Sequence, residues 1–309
     1  MQVIEEDDLS RIVIWGGAGF VGRHLVEHLK GRHHVTVIER SVDMVPASWK
    51  QEDGILVVGQ EDIDKLEQAD VMYFLAWNGT SGDLRGDVDV QLANIRLACS
   101  AVEAAAKLHC QRFVYAGSIM EYEAIEFLNK DGNVPGLNYL YSASKLTADY
   151  YAKILANSLG IVYCNALISN IYGPGEVSQR FVVTMCRRLM NHEDIALTEG
   201  TQLYDFIYIS DAVEALSCIG TAGKSNCTYY IGNKEQKPLR QYIEQMKELL
   251  GSRSKLQFGA VGFSGVALTY KEFDTHKLYD ELGFQCKVGF AEGISKTADW
   301  LGGYSEWSS

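Results

Sequence analysis

Positive charge is scarce in this chain. Its 309 residues carry 28 lysines and arginines against 40 aspartates and glutamates, a net charge of −12. That balance disfavours a general role on nucleic acid or on an anionic membrane surface and leaves room only for a local cationic pocket. Paired cysteines are missing too: Cys99, Cys110, Cys164, Cys186, Cys218, Cys227 and Cys286 are scattered without a CxxC pair. This suggests neither a zinc site nor a disulfide framework, and fits reduced thiols in a cytoplasmic protein. No uninterrupted apolar run reaches the ~18 residues of a membrane span. The acidic start, Glu5, Glu6, Asp7 and Asp8, is the reverse of the basic-then-apolar pattern of a secretory signal. Internal repeats and low-complexity tracts are likewise lacking. Apolar material is plentiful at 47%, enough for one large domain or two unequal ones.

The first half alternates short apolar runs with helical patterns. Residues 11 to 15, Arg-Ile-Val-Ile-Trp, stop at Gly16-Gly17-Ala18-Gly19-Phe20-Val21-Gly22 and lead into a helical stretch from His24 to Lys30. In the order strand, glycine loop, helix, glycines at 16, 19 and 22 permit a tight turn, close approach of backbone to a pyrophosphate, and close helix-on-strand packing. The phosphate charge then meets the helix amino terminus. A second strand, Val35 to Ile38, ends at Glu39, 23 residues after Gly16, where a ribose-binding acid is expected. Arg40 and Ser41 follow it. A carboxylate suits a 2′-hydroxyl whereas a guanidinium and a hydroxyl suit a 2′-phosphate, so NAD and NADP both stay open. Strands at Ile55 to Val58, Val71 to Ala76 and Arg112 to Ala116, the last ending at Gly117-Ser118, continue the rhythm with a helix from Val90 to Leu108. The alternation predicts an α/β fold: a doubly wound parallel sheet of Rossmann type, with ligands at the carboxyl ends of its strands, where the glycine loop and Ser118 lie. From about residue 166 the segments shorten. Helices are expected at Gln179 to Met190, Ala212 to Ile219 and Leu239 to Leu250, and strands at Asp205 to Ile209 and Tyr229 to Ile231.

Tyr141-Ser142-Ala143-Ser144-Lys145 carries the chemistry. A tyrosine four residues ahead of a lysine shares a helix face with it. A phenol of pKa near ~10 must fall by roughly three units to act at neutral pH, about 4 kcal/mol, and a neighbouring ammonium is expected to supply much of that.

Gly16-x-x-Gly19-x-x-Gly22, Ser118 and Tyr141-x-x-x-Lys145, with the turn Asn170-Ile171-Tyr172-Gly173-Pro174-Gly175 and the segment Asp205-Phe206-Ile207-Tyr208-Ile209-Ser210-Asp211, together resemble the extended short-chain dehydrogenase/reductase family. That group includes nucleotide-sugar epimerases, dehydratases and 4-ketoreductases, and the resemblance covers nearly the whole chain. It implies that Tyr141 gives or takes the proton at a sugar oxygen, that Lys145 lowers its pKa and holds the nicotinamide ribose, and that Ser118 bonds the reacting oxygen. It implies cofactor contacts from Gly16, Gly19, Phe20, Val21, Gly22, Glu39, Arg40, Ser41, Leu75, Ala76, Tyr141 and Lys145, and substrate contacts from Trp77, Ser118, Asn170, Arg180 and Tyr204. By the same likeness residues 10–165 plus about 204–231 form the NAD(P)-binding domain. A smaller mixed α/β carboxyl-terminal lobe, about 166–203 plus 232–309, would close over a nucleotide-diphosphate sugar. The helices Val90 to Leu108 and Ser142 to Ser158 would then build a homodimer.

Departures from that pattern narrow the reaction. Where the dehydratase branch places an Asp-Glu pair after its active-site Ser or Thr, this chain has Ile119 and Met120, which transfer no proton, leaving Glu121 or Glu123 one turn away. Tyr204 stands where many relatives hold a diphosphate-gripping arginine, and Leu167 where another is often found. Arg180, Arg187 and Arg188 are the candidates to replace them. Phe74 stands where a His often precedes Leu-Ala, and Gln60 where an Asp often contacts adenine. The loop Trp77 to Gly82 is either a substrate wall or a plain connection. His24 and His28 have chelating spacing but lack a third ligand nearby and read as a polar helix face, so no metal is expected; His33-His34 read as a turn. The resulting expectation is an NAD(P)-dependent reductase of a nucleotide-diphosphate 4-keto sugar, with NADPH slightly favoured. Its alternatives are a sugar-nucleotide 4-epimerase with tightly held NAD and a dinucleotide-sensing protein that performs no chemistry.

Overall fold

The first strand, β1 (Arg11–Trp15), is buried at every position after Arg11, as a strand covered on both faces must be. It opens a computed structural model that describes residues 10–128, 132, 134–263 and 265–305; the acidic residues Glu5, Glu6, Asp7 and Asp8 lie outside them. After β1 come α1 (Phe20–Leu29), β2 (His34–Glu39), β3 (Ile55–Gly59), β4 (Val71–Phe74), α2 (Val88–Lys107), β5 (Arg112–Ser118), α3 (Met120–Leu128), α4 (Tyr139–Ser158) and β6 (Val162–Ile168). The second half adds β7 (Asn170–Tyr172), α5 (Phe181–Met190), β8 (Ile195–Leu197), β9 (Leu203–Tyr204), β10 (Phe206–Tyr208), α6 (Ile209–Ala222), β11 (Cys227–Ile231), β12 (Lys237–Pro238), α7 (Leu239–Leu249), β13 (Leu256–Phe258), α8 (Lys277–Leu282) and α9 (Phe290–Ser305).

Seven strands make one sheet in the order β11-β6-β5-β4-β1-β2-β3, parallel at every pairing. The order reverses between β1 and β4, which opens a crevice there. Trp15 and Phe74 are in register at that point, so Gly16 and Leu75 leave the sheet side by side. Alternation along β1 sorts the core into two layers. Ile12 and Ile14 pack with Leu25 and Val26 of α1 and with α6, while Val13 and Trp15 face Ala98 and Ala101 of α2 and Ala148 and Ala152 of α4. Alanines suit those helices because the sheet face beneath is filled by the rings of Trp15, Phe74, Phe113, Tyr115 and Tyr163, each about 6 Å from the next.

The smaller mixed lobe is built from the strand pairs β12-β9 and β13-β8 and from α5, α7 and α9, which pack on one another. It is tied to the sheet by Asp211 on α6, whose Oδ2 accepts the backbone N–H groups of Lys287 and Val288 at 3.0 and 2.9 Å. Gly293 of α9 sits so close to Tyr172 and Tyr208 that a β-carbon there would overlap the Tyr172 hydroxyl. No helix among the described residues is long and apolar enough to cross a membrane.

The structure corrects several expected boundaries. The helix read from His24 begins at Phe20, because Gly22 must pack within the first turn against Gly16 and Gly17. The strand read to Ala76 ends at Phe74, releasing Leu75 and Ala76 into the crevice. The helix read from Gln179 starts at Phe181, with Arg180 as its N-cap. The strand read as Asp205 to Ile209 is Phe206–Tyr208, since Ile209 already opens α6. His34 begins β2 rather than belonging to a turn. Strand β6 and helices α3, α8 and α9 carry no clear sequence signal of their own.

Candidate active site

Two adjoining cavities occupy the carboxyl ends of the strands. One, of about 570 Å³, is lined by Gly16, Gly19, Glu39, Arg40, Gln60 and Ala76. The other, of about 450 Å³, is lined by Val21, Ser118, Tyr141, Lys145, Asn170 and Arg180. Leu75 and Trp77 face both and form the partition.

Gly16 adopts φ +95°, and a β-carbon on it would lie 2.5 Å from the Ala76 nitrogen; one on Gly22 would lie 2.7 Å from Gly17 Cα. Both glycines are demanded by packing. Gly19 is different, because a β-carbon there would meet only the Gly16 carbonyl at an ordinary 3.5 Å. Helix α1 has no side-chain N-cap, so its first N–H groups are free to meet an anion. Glu39, 6% exposed, braces this loop by accepting the Ala18 N–H at 2.6 Å, and burial pushes its carboxyl above the ordinary range. Arg40 beside it is exposed. Three expected cofactor contacts fall off both linings: Gly22 packs on Gly16 and Gly17, the Ser41 hydroxyl accepts the Asp43 N–H, and Phe20 packs edge-on against His24.

In the second cavity Tyr141 and Lys145 lie one turn apart on α4, 7% and 6% exposed. Ser118 lines the cavity beside the Tyr141 phenol; burial pushes the phenol's pKa up, and Ser118 and then the Arg180 and Arg85 charges draw it down. The Arg85 guanidinium lies 4.3 Å from the centre of the Tyr141 ring. Spacing alone assigns that pull to Lys145. The Lys145 Nζ instead donates to the Ala116 carbonyl at 2.9 Å and lies 3.9 Å from the Trp77 ring, and the two arginines come from outside the Tyr-Lys motif. Burial pushes Lys145 itself down to about 7.

Three cations, Lys145, Arg85 and Arg180, and no carboxylate stand among the described residues lining this cavity, in a protein of net charge −12. Such a lining concentrates anionic ligands. Ile119 and Met120 both face it. The acids that sequence left as their possible substitutes do not: Glu121 lies below the floor, accepting the Ser118 N–H at 2.9 Å, and Glu123 accepts the Ser142 hydroxyl at 2.7 Å. Asn170 lines the cavity and donates to the Asp205 carbonyl. Arg180 stands 3.5 Å from the buried Glu176.

Tyr204 lies off the lining, stacked on Phe206 with ring centres 5.7 Å apart. Arg187 and Arg188 are also away from it, Arg188 paired with Glu193 at 3.1 Å. Arg85, which no motif marks, is presented by a loop that is more than a connection. Buried Gln91 donates to the carbonyls of Gly79 and Leu84 and accepts the Trp77 Nε1–H, and buried Asn94 bonds both backbone groups of Asn78. His24 Nε2 is 2.9 Å from the Pro174 carbonyl, joining α1 to the Gly-Pro turn, whereas His28 lies 3.9 Å from Glu214. Among the described residues no group of three or more His, Cys, Asp or Glu side chains is placed to hold a metal ion.

Comparison with known proteins gives the site a lineage. A family model described as the NAD dependent epimerase/dehydratase family matches residues 12–232. Protein CapI of Staphylococcus aureus is 23% identical, over 94% of this chain and 98% of its own length. CDP-abequose synthase of Salmonella typhimurium is 24% identical, over 81% and 85%. Among solved structures, UDP-glucuronic acid 4-epimerase from Bacillus cereus in complex with NAD superposes with a TM-score of 0.76 at 18% identity, over 96% of this chain and 98% of that one.

Proposed function

The chain belongs to the NAD dependent epimerase/dehydratase family, and from that premise we propose that it is an NAD(P)-dependent reductase of a nucleotide-diphosphate 4-keto sugar. The observation that carries this reading is the cavity in which Ser118, Tyr141 and Lys145 meet without any carboxylate among its described lining. Reduction of a carbonyl needs one proton at oxygen, which Tyr141 supplies while Ser118 holds that oxygen and the surrounding cations stabilise the phenolate left behind. Elimination of water needs a further acid and base beside the sugar, and the residues after Ser118 are Ile119 and Met120.

A nicotinamide dinucleotide fits the first cavity: Gly19 leaves backbone open to a ligand, and α1 leaves its N–H groups uncapped. Gly16, Gly19, Glu39, Arg40, Leu75 and Ala76 would hold it there, with Val21 reaching it from the second cavity, and when bound it supplies the hydride. Glu39 is engaged with Ala18 while Arg40 is exposed, which supports NADPH as the preferred form. Arg180 and Asn170 take the substrate diphosphate in this reading, with Trp77 beside the sugar. Residues 10–165 with about 204–231 act as the cofactor domain, and the remainder as the substrate lobe. The working unit is a homodimer through α2 and α4, which lie side by side and expose Leu92, Tyr150, Tyr151 and Ile154.

A 4-epimerase is the second reading, supported by the likeness to an NAD-bound UDP-glucuronic acid 4-epimerase. The same three residues would then run oxidation followed by reduction. The deciding experiment incubates the protein with NADPH or NADH and a panel of 4-keto nucleotide sugars. Stoichiometric cofactor oxidation that falls by a factor of about 10² to 10⁴ in Tyr141→Phe is the expected result. Silence across the panel, with NAD co-purifying and inversion at C4 of a sugar nucleotide, would replace reductase by epimerase.

A further inference from the structure

Beneath the floor of the Tyr141 cavity lies a polar layer that the proposed reaction does not use. Glu121, on the first turn of α3, is 2% exposed. Its Oε1 accepts the Ser118 backbone N–H at 2.9 Å and its Oε2 accepts Asn165 Nδ2 at 3.1 Å. Asn165 is buried in β6, in register with Tyr115. Gly117 makes room for this pair, since a β-carbon there would overlap Asn165 Oδ1 and lie 2.9 Å from Glu121 Oε1. Asp149, one turn beyond Lys145, accepts the Tyr163 hydroxyl at 2.5 Å.

Lys145 borders the same layer. Tyr115 of β5 faces it, with its ring 5.1 Å from Nζ and its hydroxyl on the Lys145 carbonyl. Tyr141 and Asp149 share its helix, Glu121 acts from α3, and Arg180 from the start of α5; Tyr163 of β6 and Lys153 act through Asp149. Burial pushes Lys145 down and Glu121 up, and each charge draws the other back toward its ordinary range. Glu121 is the foremost support of the ammonium, ahead of Asp149, while Arg180 opposes it.

A buried amine held only by a carbonyl and an aromatic face, with no carboxylate near it, would discharge below neutrality. A carboxylate inside the cavity would prevent that but would repel a diphosphate. Placed under the floor, it supports the amine and leaves the cavity wholly cationic. We propose that Glu121 is a positioning residue of this active site, holding Lys145 in its charged form and fixing the Ser118 backbone without touching substrate or cofactor. The inference rests on the reading of Ser118, Tyr141 and Lys145 as the catalytic set.

The test measures NADH and NADPH affinity between pH 6 and 9, on the full-length protein in a Tyr141→Phe background so that the phenol does not titrate. Affinity should fall on the alkaline side as Lys145 discharges, and Lys145→Met should be weak and flat across the range. Adding Glu121→Gln, which keeps an acceptor for the Ser118 N–H, should move the fall about one pH unit lower. It should change nothing further in the Lys145→Met background. A smaller shift in the same direction is expected for Asp149→Asn, which gives a second reading should Glu121→Gln fold poorly. A merely structural role would lower affinity at every pH without moving the profile, and a Glu121→Gln profile that superimposes on its parent overturns the proposal. So does a larger shift from Asp149→Asn than from Glu121→Gln. A Lys145→Met protein that binds as its parent does would overturn the catalytic reading, and with it this inference.

Discussion

The Lys145 ammonium lies 3.9 Å from the centre of the Trp77 ring, so a residue that partitions the two cavities also covers the amine one turn from Tyr141. A contact of this kind contributes about 0.5–2 kcal/mol, more as water is excluded. Trp77→Leu is expected to lower the unfolding free energy by about 1–2 kcal/mol, as judged by urea titration. It should also weaken tryptophan-to-NADH energy transfer more than Trp15→Phe or Trp49→Phe does. Transfer as strong as in the parent would mean that Trp77 does not border the bound cofactor.

The glycines of the loop separate packing from binding. Gly22→Ala places a β-carbon against Gly16 and Gly17 and should cost about 1–3 kcal/mol of stability, as overpacking does. Gly19→Ala meets nothing closer than 3.5 Å and should fold with the parent's thermal midpoint while losing NAD(P) affinity at least tenfold. Thermal melts and cofactor titration of the two proteins decide this, and equal cofactor affinity in Gly19→Ala would remove the pyrophosphate from that loop.

These contrasts show how unevenly sequence speaks about structure. The run Ile12 to Trp15 and the glycines after it announce strand, turn and helix because burial on two faces and the space for a backbone leave no other residues possible. Strand β6 escapes notice because Asn165 interrupts its apolar run, and that interruption is the partner of Glu121. Glu121 itself is misplaced by spacing, which counts residues from Ser118 but not the direction in which the first turn of α3 points them. Arg85 has no period or motif to mark it; its position depends on Gln91 and Asn94, distant in sequence and hidden on α2. Analogy makes Tyr204 a substrate contact, yet a residue two before Phe206 on a strand shares its side and stacks on it.

Asp205 makes stability depend on pH. It is fully buried under bonds from Tyr230 and Asn233, and burial pushes it from 3.8 up to about 6. The folded value lies above the unfolded one, so its contribution is complete below pH 3.8 and is lost as pH rises through about 6. The loss approaches about 3 kcal/mol. The stability margin of the parent over Asp205→Asn should therefore narrow between pH 4 and pH 7 in urea unfolding; a margin that widens contradicts the assignment.

Ile154 and Tyr151 on α4 are more than half exposed, which suits an interface between copies rather than a surface in water. Ile154→Asp should convert a dimer to a monomer in sedimentation while leaving the monomer folded. A parent protein that already sediments as a monomer would dispose of the dimer.

The clasp of Asp211 on Lys287 and Val288, and the seat of Gly293 against Tyr172, have a bearing on biogenesis. The floor beside the Gly-Pro turn stays open until the last helix arrives. A nascent chain can complete its early strands during synthesis, but the second cavity stays unfinished until α9 has been made and docked. Nicks or premature stops ahead of α9 would thus yield proteins that keep the seven-stranded sheet and lack the helix that seats on Tyr172 and Tyr208.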